Sequence, residues 1–123
     1  MGLLTARRVD KPWGHEEVFA ENERYVGKIL FVRQGEALSL QYHERKDETL
    51  RVLEGRLELT IGPSIEELEV RVLESGSVFR IRPGTLHRMI GLTDCHLLEV
   101  STPELDDVVR LEDRYGREGT REP

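Results

Sequence analysis

Between Gly14 and Ser101 short extended segments are broken again and again by glycine, proline and small polar residues, and no apolar stripe keeps a helical period over a helix-length window. "GHEEVFA", "RYVGKILFV", "LSLQYH", "TLRVLE", "RLELTI", "LEVRVL", "SVFRI", "HRMI" and "HLLEVS" carry the β-branched and aromatic residues that suit a pleated surface. "AENE", "RQGEA", "IGPSIEE", "ESG", "RPGTL" and "GLTD" supply the turns. In "LSLQYH" the period is two, with Leu38, Leu40 and Tyr42 on one face and Ser39, Gln41 and His43 on the other. Glu54, Gly55 and Arg56 join "TLRVLE" to "RLELTI", which predicts a hairpin with glycine at the turn. Strands this closely spaced favour a sandwich or small barrel over a parallel sheet with helical crossovers. One helical turn is expected late, in "STPELDDVVRL", with Thr102 as cap, Pro103 as first helical residue and Leu105, Val108 and Val109 as its apolar stripe.

At 123 residues this is one domain, residues 1–123, with an N-terminal extension over 1–15 and a polar tail over 116–123 whose last residues are expected to be mobile. The net charge of −6 argues against a surface that binds a phosphate backbone, so nucleic acid is not an expected partner. One cysteine, Cys95, excludes an intrachain disulfide and suits a reducing compartment. No apolar run reaches the roughly 18–20 residues that span lipid, and the expectation is a cytoplasmic protein without a membrane partner.

The residues that carry chemistry cluster in two blocks. His43 and Glu48 stand five residues apart, and His87 lies in "RPGTLHR". Two imidazoles and a carboxylate suit zinc, iron, nickel or manganese and occur in catalytic zinc and non-haem iron sites. From spacing alone, ordinary hydrogen-bonded or solvated roles for these residues outweigh metal binding. Arg45, Lys46, Arg82 and Arg88 surround the blocks; guanidinium groups clamp phosphate, while the plainer role is to balance Glu44, Asp47 and Glu48. Trp13 reads first as a packing anchor, His15 and His96 as surface or packed histidines, and Tyr115 as a residue packing the tail. Cys95 reads as a small strand residue, since His96 beside it would face the other way.

"KPWGHEE", the block from "LSLQYH" to Gly55, "RPGTLHR" and the ending "LEVSTPELDDVVRLEDRYGR" together resemble the cupin superfamily, and more closely the cupin domain of type II mannose-6-phosphate isomerase, often joined to a mannose-1-phosphate guanylyltransferase. The likeness runs from Lys11 to Arg117 and includes no nucleotide-binding region of the guanylyltransferase. It implies an all-β cupin, a double-sheet jelly-roll barrel with a short C-terminal helix; a homodimer is expected because the apolar stripe of Leu105, Val108 and Val109 must be covered. The likeness also implies a divalent metal on His43, Glu48 and His87, zinc slightly preferred, with iron, nickel or manganese as alternatives. Gly55 closes the first block and Gly84 forms the turn before the last ligand. Arg45 stands where the common pattern has a second histidine, Arg82 where it has proline, and Gly91 where this family has asparagine, so three protein ligands are expected, completed by water or Gln41. The implied function is a metal-dependent sugar-phosphate isomerase, interconverting mannose 6-phosphate and fructose 6-phosphate, with Arg45, Lys46 and Arg88 on the substrate and no base identified. The alternative is a non-catalytic cupin binding a sugar phosphate, a nucleotide sugar or another small anionic carbohydrate.

Overall fold

The computed structural model describes residues 2–104 and 106–118. Its strands are β1 (Arg7–Lys11), β2 (Gly14–Glu21), β3 (Val26–Val32), β4 (Leu40–Tyr42), β5 (Glu48–Glu54), β6 (Leu57–Gly62), β7 (Glu69–Leu73), β8 (Val78–Ile81), β9 (Leu86–Gly91), β10 (Cys95–Ser101) and β11 (Val109–Glu112). A 3₁₀ turn, Ile65–Glu67, lies between β6 and β7. Every pairing is antiparallel. One sheet has the order β1-β2-β3-β10-β5-β8 and the other β11-β4-β9-β6-β7.

Alternation sends one set of side chains from each sheet into the shared interior. Leu30 and Val32 of β3, Leu50 and Val52 of β5, Leu57 and Leu59 of β6, and Leu97 of β10 form an apolar core closed by Trp13, Ile81 and Met89. Each such side chain contributes about 1.5–3 kcal/mol by leaving water. The same inward phase on three neighbouring strands also carries charge: Glu16 on β2, Lys28 on β3 and Glu99 on β10 are all buried. Cross-strand register sets Glu99 opposite Lys28, and Val18 opposite Lys28 on the other side. Part of the interior is therefore polar and must pair its charges internally.

Three expectations change. Gly55 does sit at positive φ, +94°, but β5 and β6 do not pair; they belong to different sheets, and the turn is a corner between them. β5 takes β10 and β8 as partners and β6 takes β9 and β7, so pairing is decided by distant strands rather than by the turn. The C-terminal helix is absent among the described residues. Val109 and Arg110 instead extend beside Tyr42 and Gln41 of β4 as β11, and Thr102 Oγ1 accepts from the Asp47 N–H rather than capping a helix. Leu105, the first residue of the expected stripe, lies outside the described residues, as do residues 119–123 of the tail. Residues 1–15, read as an extension, contain β1, which pairs along its whole length with β2.

Candidate metal centre in a charged cavity

His43 follows β4, Glu48 opens β5 and His87 lies in β9, so the three come from both sheets and meet between them. All are buried, at 3%, 3% and 1% exposure. One ligand atom from each lies within 4.8 Å of the others. Hydrogen bonding fixes the tautomers. A carbonyl oxygen only accepts, so His43 Nδ1–H donates to Asp107 O at 2.6 Å and His87 Nδ1–H donates to Thr85 O at 3.0 Å. Both Nε2 atoms then carry lone pairs, the form a metal requires, with the backbone orienting each ring as in characterised metal sites. His43 Nε2 is buried without a hydrogen-bond partner and stands 3.3 Å from Glu48 Oε2, an equally buried oxygen whose near cation is the Lys46 ammonium at 2.9 Å. Two acceptor atoms turned toward one point fit a cation between them. A tetrahedral ion with bonds near 2.1 Å needs ligand atoms about 3.4 Å apart, so the triad fits a divalent metal after modest tightening.

The loop between the first two ligands is held from afar. Asp107 accepts from the backbone N–H groups of Glu44, Arg45 and Lys46 at 3.0, 2.7 and 2.9 Å, and Gly84 N–H donates to His43 O at 2.7 Å. Burial pushes the Asp107 carboxyl upward, but these amides outweigh it and hold the group below the ordinary carboxylate range. Gln41 lies opposite His87 in register and turns its amide nitrogen toward His87 Nε2 at 3.4 Å, while its oxygen accepts from Ser39 Oγ at 2.6 Å. As oriented it donates toward the triad rather than coordinating.

Beside the triad is a small cavity that opens to solvent. Its wall carries five cationic side chains, Lys11, Lys28, Lys46, Arg110 and Arg117, against three carboxylates, Glu16, Glu48 and Glu99. In a chain whose net charge is −6, this wall thus carries more cations than carboxylates. The charges alternate in a ladder. Lys11 Nζ is 4.0 Å from Glu16, Lys28 Nζ is 3.2 Å from Glu16 and 3.9 Å from Glu99, and Lys46 Nζ is 3.2 Å from Glu99 and 2.9 Å from Glu48. Burial works against the Lys46 ammonium, yet Glu99 and Glu48 outweigh it and raise its pKa above the ordinary lysine range. Burial likewise opposes ionised Glu48, and Lys46 with the two histidines holds that carboxyl well below its usual value. His87 is pushed down to about 4, first by burial and then by His43 and Lys46, against the pull of Glu48. It is neutral at physiological pH.

Of the four cations singled out in the sequence, only Lys46 reaches the cavity. Arg45 and Arg82 are exposed. Arg88 follows His87 and so faces away, pairing with Glu112 at 3.2 Å. Trp13 is both core and cavity wall. His15 and His96 flank Phe31 on the outer face of the six-stranded sheet, with ring centroids 5.3 and 5.0 Å from it. Cys95 is buried in the core, its thiol donating to Arg56 O. Tyr115 packs against the same core and donates to Glu36.

The family model "Mannose-6-phosphate isomerase C-terminal" matches residues 3–113, covering β1 to β11 and every residue of the triad. The chain belongs to that family. It is 38% identical over 116 residues to mannose-1-phosphate guanylyltransferase ManC of Salmonella typhimurium, covering 90% of this chain and 23% of that protein. It is 34% identical over 116 residues to xanthan biosynthesis protein XanB of Xanthomonas campestris, covering 90% and 24%. The chain thus spans about a quarter of the length of the curated relatives it matches. Among solved structures, oxalate decarboxylase from Bacillus subtilis superposes with a TM-score of 0.76 at 14% identity, over 86% of this chain and 30% of that one. A Klebsiella pneumoniae protein with a double-stranded β-helix domain gives 0.66 at 21% identity, over 80% and 84%. The fold is the cupin double-stranded β-helix.

Proposed function

We propose that this domain isomerises an aldose phosphate and a ketose phosphate, with mannose 6-phosphate and fructose 6-phosphate as the pair. The observation that carries the reading is the union of a metal-capable triad with a cationic cavity wall in an otherwise acidic chain. His43, Glu48 and His87 would hold a divalent ion, zinc slightly preferred over iron, nickel or manganese, whose chemistry when bound is to polarise the substrate carbonyl. Lys11, Arg110 and Arg117 attract the phosphate and set the sugar's orientation, so binding energy remote from the reacting carbons positions them. Asp113 fixes Arg117 through contacts of 2.9 and 3.1 Å. Glu16 and Glu99 are the cavity carboxylates outside the triad, and one of them carries the proton between neighbouring carbons. The substrate contacts expected of Arg45 and Arg88 pass to these inward cations.

The test is interconversion of the two hexose phosphates by metal-loaded protein in deuterated water. Turnover with deuterium at the carbon next to the carbonyl, lost in Glu16→Gln or Glu99→Gln and weakened in apparent affinity in Arg110→Ala, supports the proposal. No turnover and no exchange with any of the four metals refutes it. A second reading, binding without chemistry, is favoured by one contact, the Lys46 ammonium 2.9 Å from Glu48; calorimetric binding of the sugar phosphate without exchange would select it. We further propose a homodimer through the outer face of the six-stranded sheet, where Ile29, Phe31 and Leu98 are only partly covered and Val100 is 52% exposed. Sedimentation at micromolar concentration showing only monomer refutes that. No helix among the described residues is long and apolar enough to cross a membrane, and free, buried Cys95 accords with the reducing cytoplasm as its place.

A further inference from the structure

Lys46 stands where a metal centre can least tolerate a cation. Its Nζ lies 2.9 Å from Glu48 Oε2, the oxygen that the triad turns toward the His43 imidazole, and its side chain is only 7% exposed, so water screens it little. That oxygen cannot serve an ammonium and a divalent ion equally. A metal about 2.1 Å from it would lie no farther than about 5 Å from Nζ as placed, close enough for strong repulsion in a buried site. The lysine has somewhere else to go. Glu99 Oε2 is 3.2 Å from Nζ and is itself buried, with Lys28 Nζ farther off at 3.9 Å. The flexible four-carbon stem of lysine allows a short swing from one carboxylate to the other without leaving the cavity.

We propose that Lys46 and the divalent metal compete for Glu48, and that Glu99 is the seat to which the ammonium withdraws when the metal binds. The chain thereby carries a tethered cation that satisfies Glu48 in the metal-free protein and sets how tightly metal is held. This inference rests on the metal-centre reading above. It concerns metal affinity and so stands apart from whether the domain turns over substrate.

Zinc affinity of the full chain, measured by competition with a chromophoric chelator, tests it. Lys46→Met is expected to bind zinc about 10- to 100-fold more tightly, the size of the effect that removing a ligand's supporting partner has on metal affinity, here with the opposite sign because the partner removed is a competing cation. Glu99→Gln is expected to weaken zinc binding in the natural sequence, and to weaken it less in the Lys46→Met background, because Glu99 then has no lysine to receive. Equal or weaker zinc binding in Lys46→Met overturns the proposal, as does an effect of Glu99→Gln that is the same in both backgrounds. Should Lys46→Met fail to fold, the natural protein suffices: the NMR signals of the Lys46 Cε and Nζ are expected to shift as zinc saturates the site, and signals that stay fixed overturn the competition. His87→Ala separates the two levels. Loss of zinc there with no change in Lys46→Met sinks only the lysine's role, whereas unchanged zinc binding in His87→Ala sinks the metal centre itself.

Discussion

Replacing Asp107 by alanine should loosen the loop that carries the first two candidate ligands. The carboxylate accepts three backbone N–H groups, from Glu44, Arg45 and Lys46. A hydrogen bond to a charged group is worth about 1.5–3 kcal/mol, but the three are not equal. Glu44 and Arg45 are exposed, so water replaces much of what their amides lose, whereas Lys46 is buried. One full loss and two partial ones sum to about 3 kcal/mol, roughly a 10–15 °C fall in Tm for a domain of this size. Asp107→Asn keeps an acceptor oxygen without the charge and should lose about half as much. Urea unfolding of the metal-free proteins reads the difference as a lower midpoint at unchanged slope. A loss under about 0.5 kcal/mol, the scale of an ordinary surface substitution, would refute the idea that Asp107 organises this loop. His43 hangs on the same residue's carbonyl, so zinc affinity should fall with stability in the alanine variant.

Two glycines at positive φ should respond differently to alanine. At Gly55, φ +94°, a Cβ would collide with Asp94 O and lie 2.8 Å from Thr93 Oγ1, so strain and overpacking add to about 3–4 kcal/mol; at Gly84, φ +82°, no atom is near and the cost should stay at about 1–2 kcal/mol. Thermal melts that rank Gly84→Ala as the worse variant would contradict both accounts. Asp113 sets an acid limb on stability. Burial alone would raise its carboxyl, but hydrogen bonds from Arg117 outweigh this and hold it below its ordinary 3.8. The stabilisation is therefore complete above that ordinary value and is lost as pH falls through the lower, folded-state value. Asp113→Asn should melt lower at neutral pH and converge with the natural protein in strong acid; a gap that persists to pH 2 would refute the linkage.

Much of the barrel was legible because period-two segments bounded by turn residues leave little other choice, and His43, Glu48 and His87 followed from block resemblance. The cavity's charges were harder to see. Glu16, Lys28 and Glu99 each occupy an inward position in phase with buried apolar neighbours, as in Val26, Lys28, Leu30 and Val32. A charge in that phase is the signal that would have marked a polar interior. Arg110 was hidden by reading Val108 and Val109 as a helical stripe, since so short a run satisfies either period and β4 decides between them. Asp107 left no local trace, because its partners lie about sixty residues earlier. Strand β1 has one apolar residue, Val9, in "RRVDK" and is held by backbone pairing to β2, which alternation does not report.

The claim on which the account turns is that the triad holds a metal, and elemental analysis of the purified chain after equilibration with zinc and removal of loose ions tests it most directly. The account predicts about one zinc per chain in the natural protein and almost none in His43→Ala or His87→Ala, with both variants folded by circular dichroism. One zinc per chain undiminished by either substitution would contradict it.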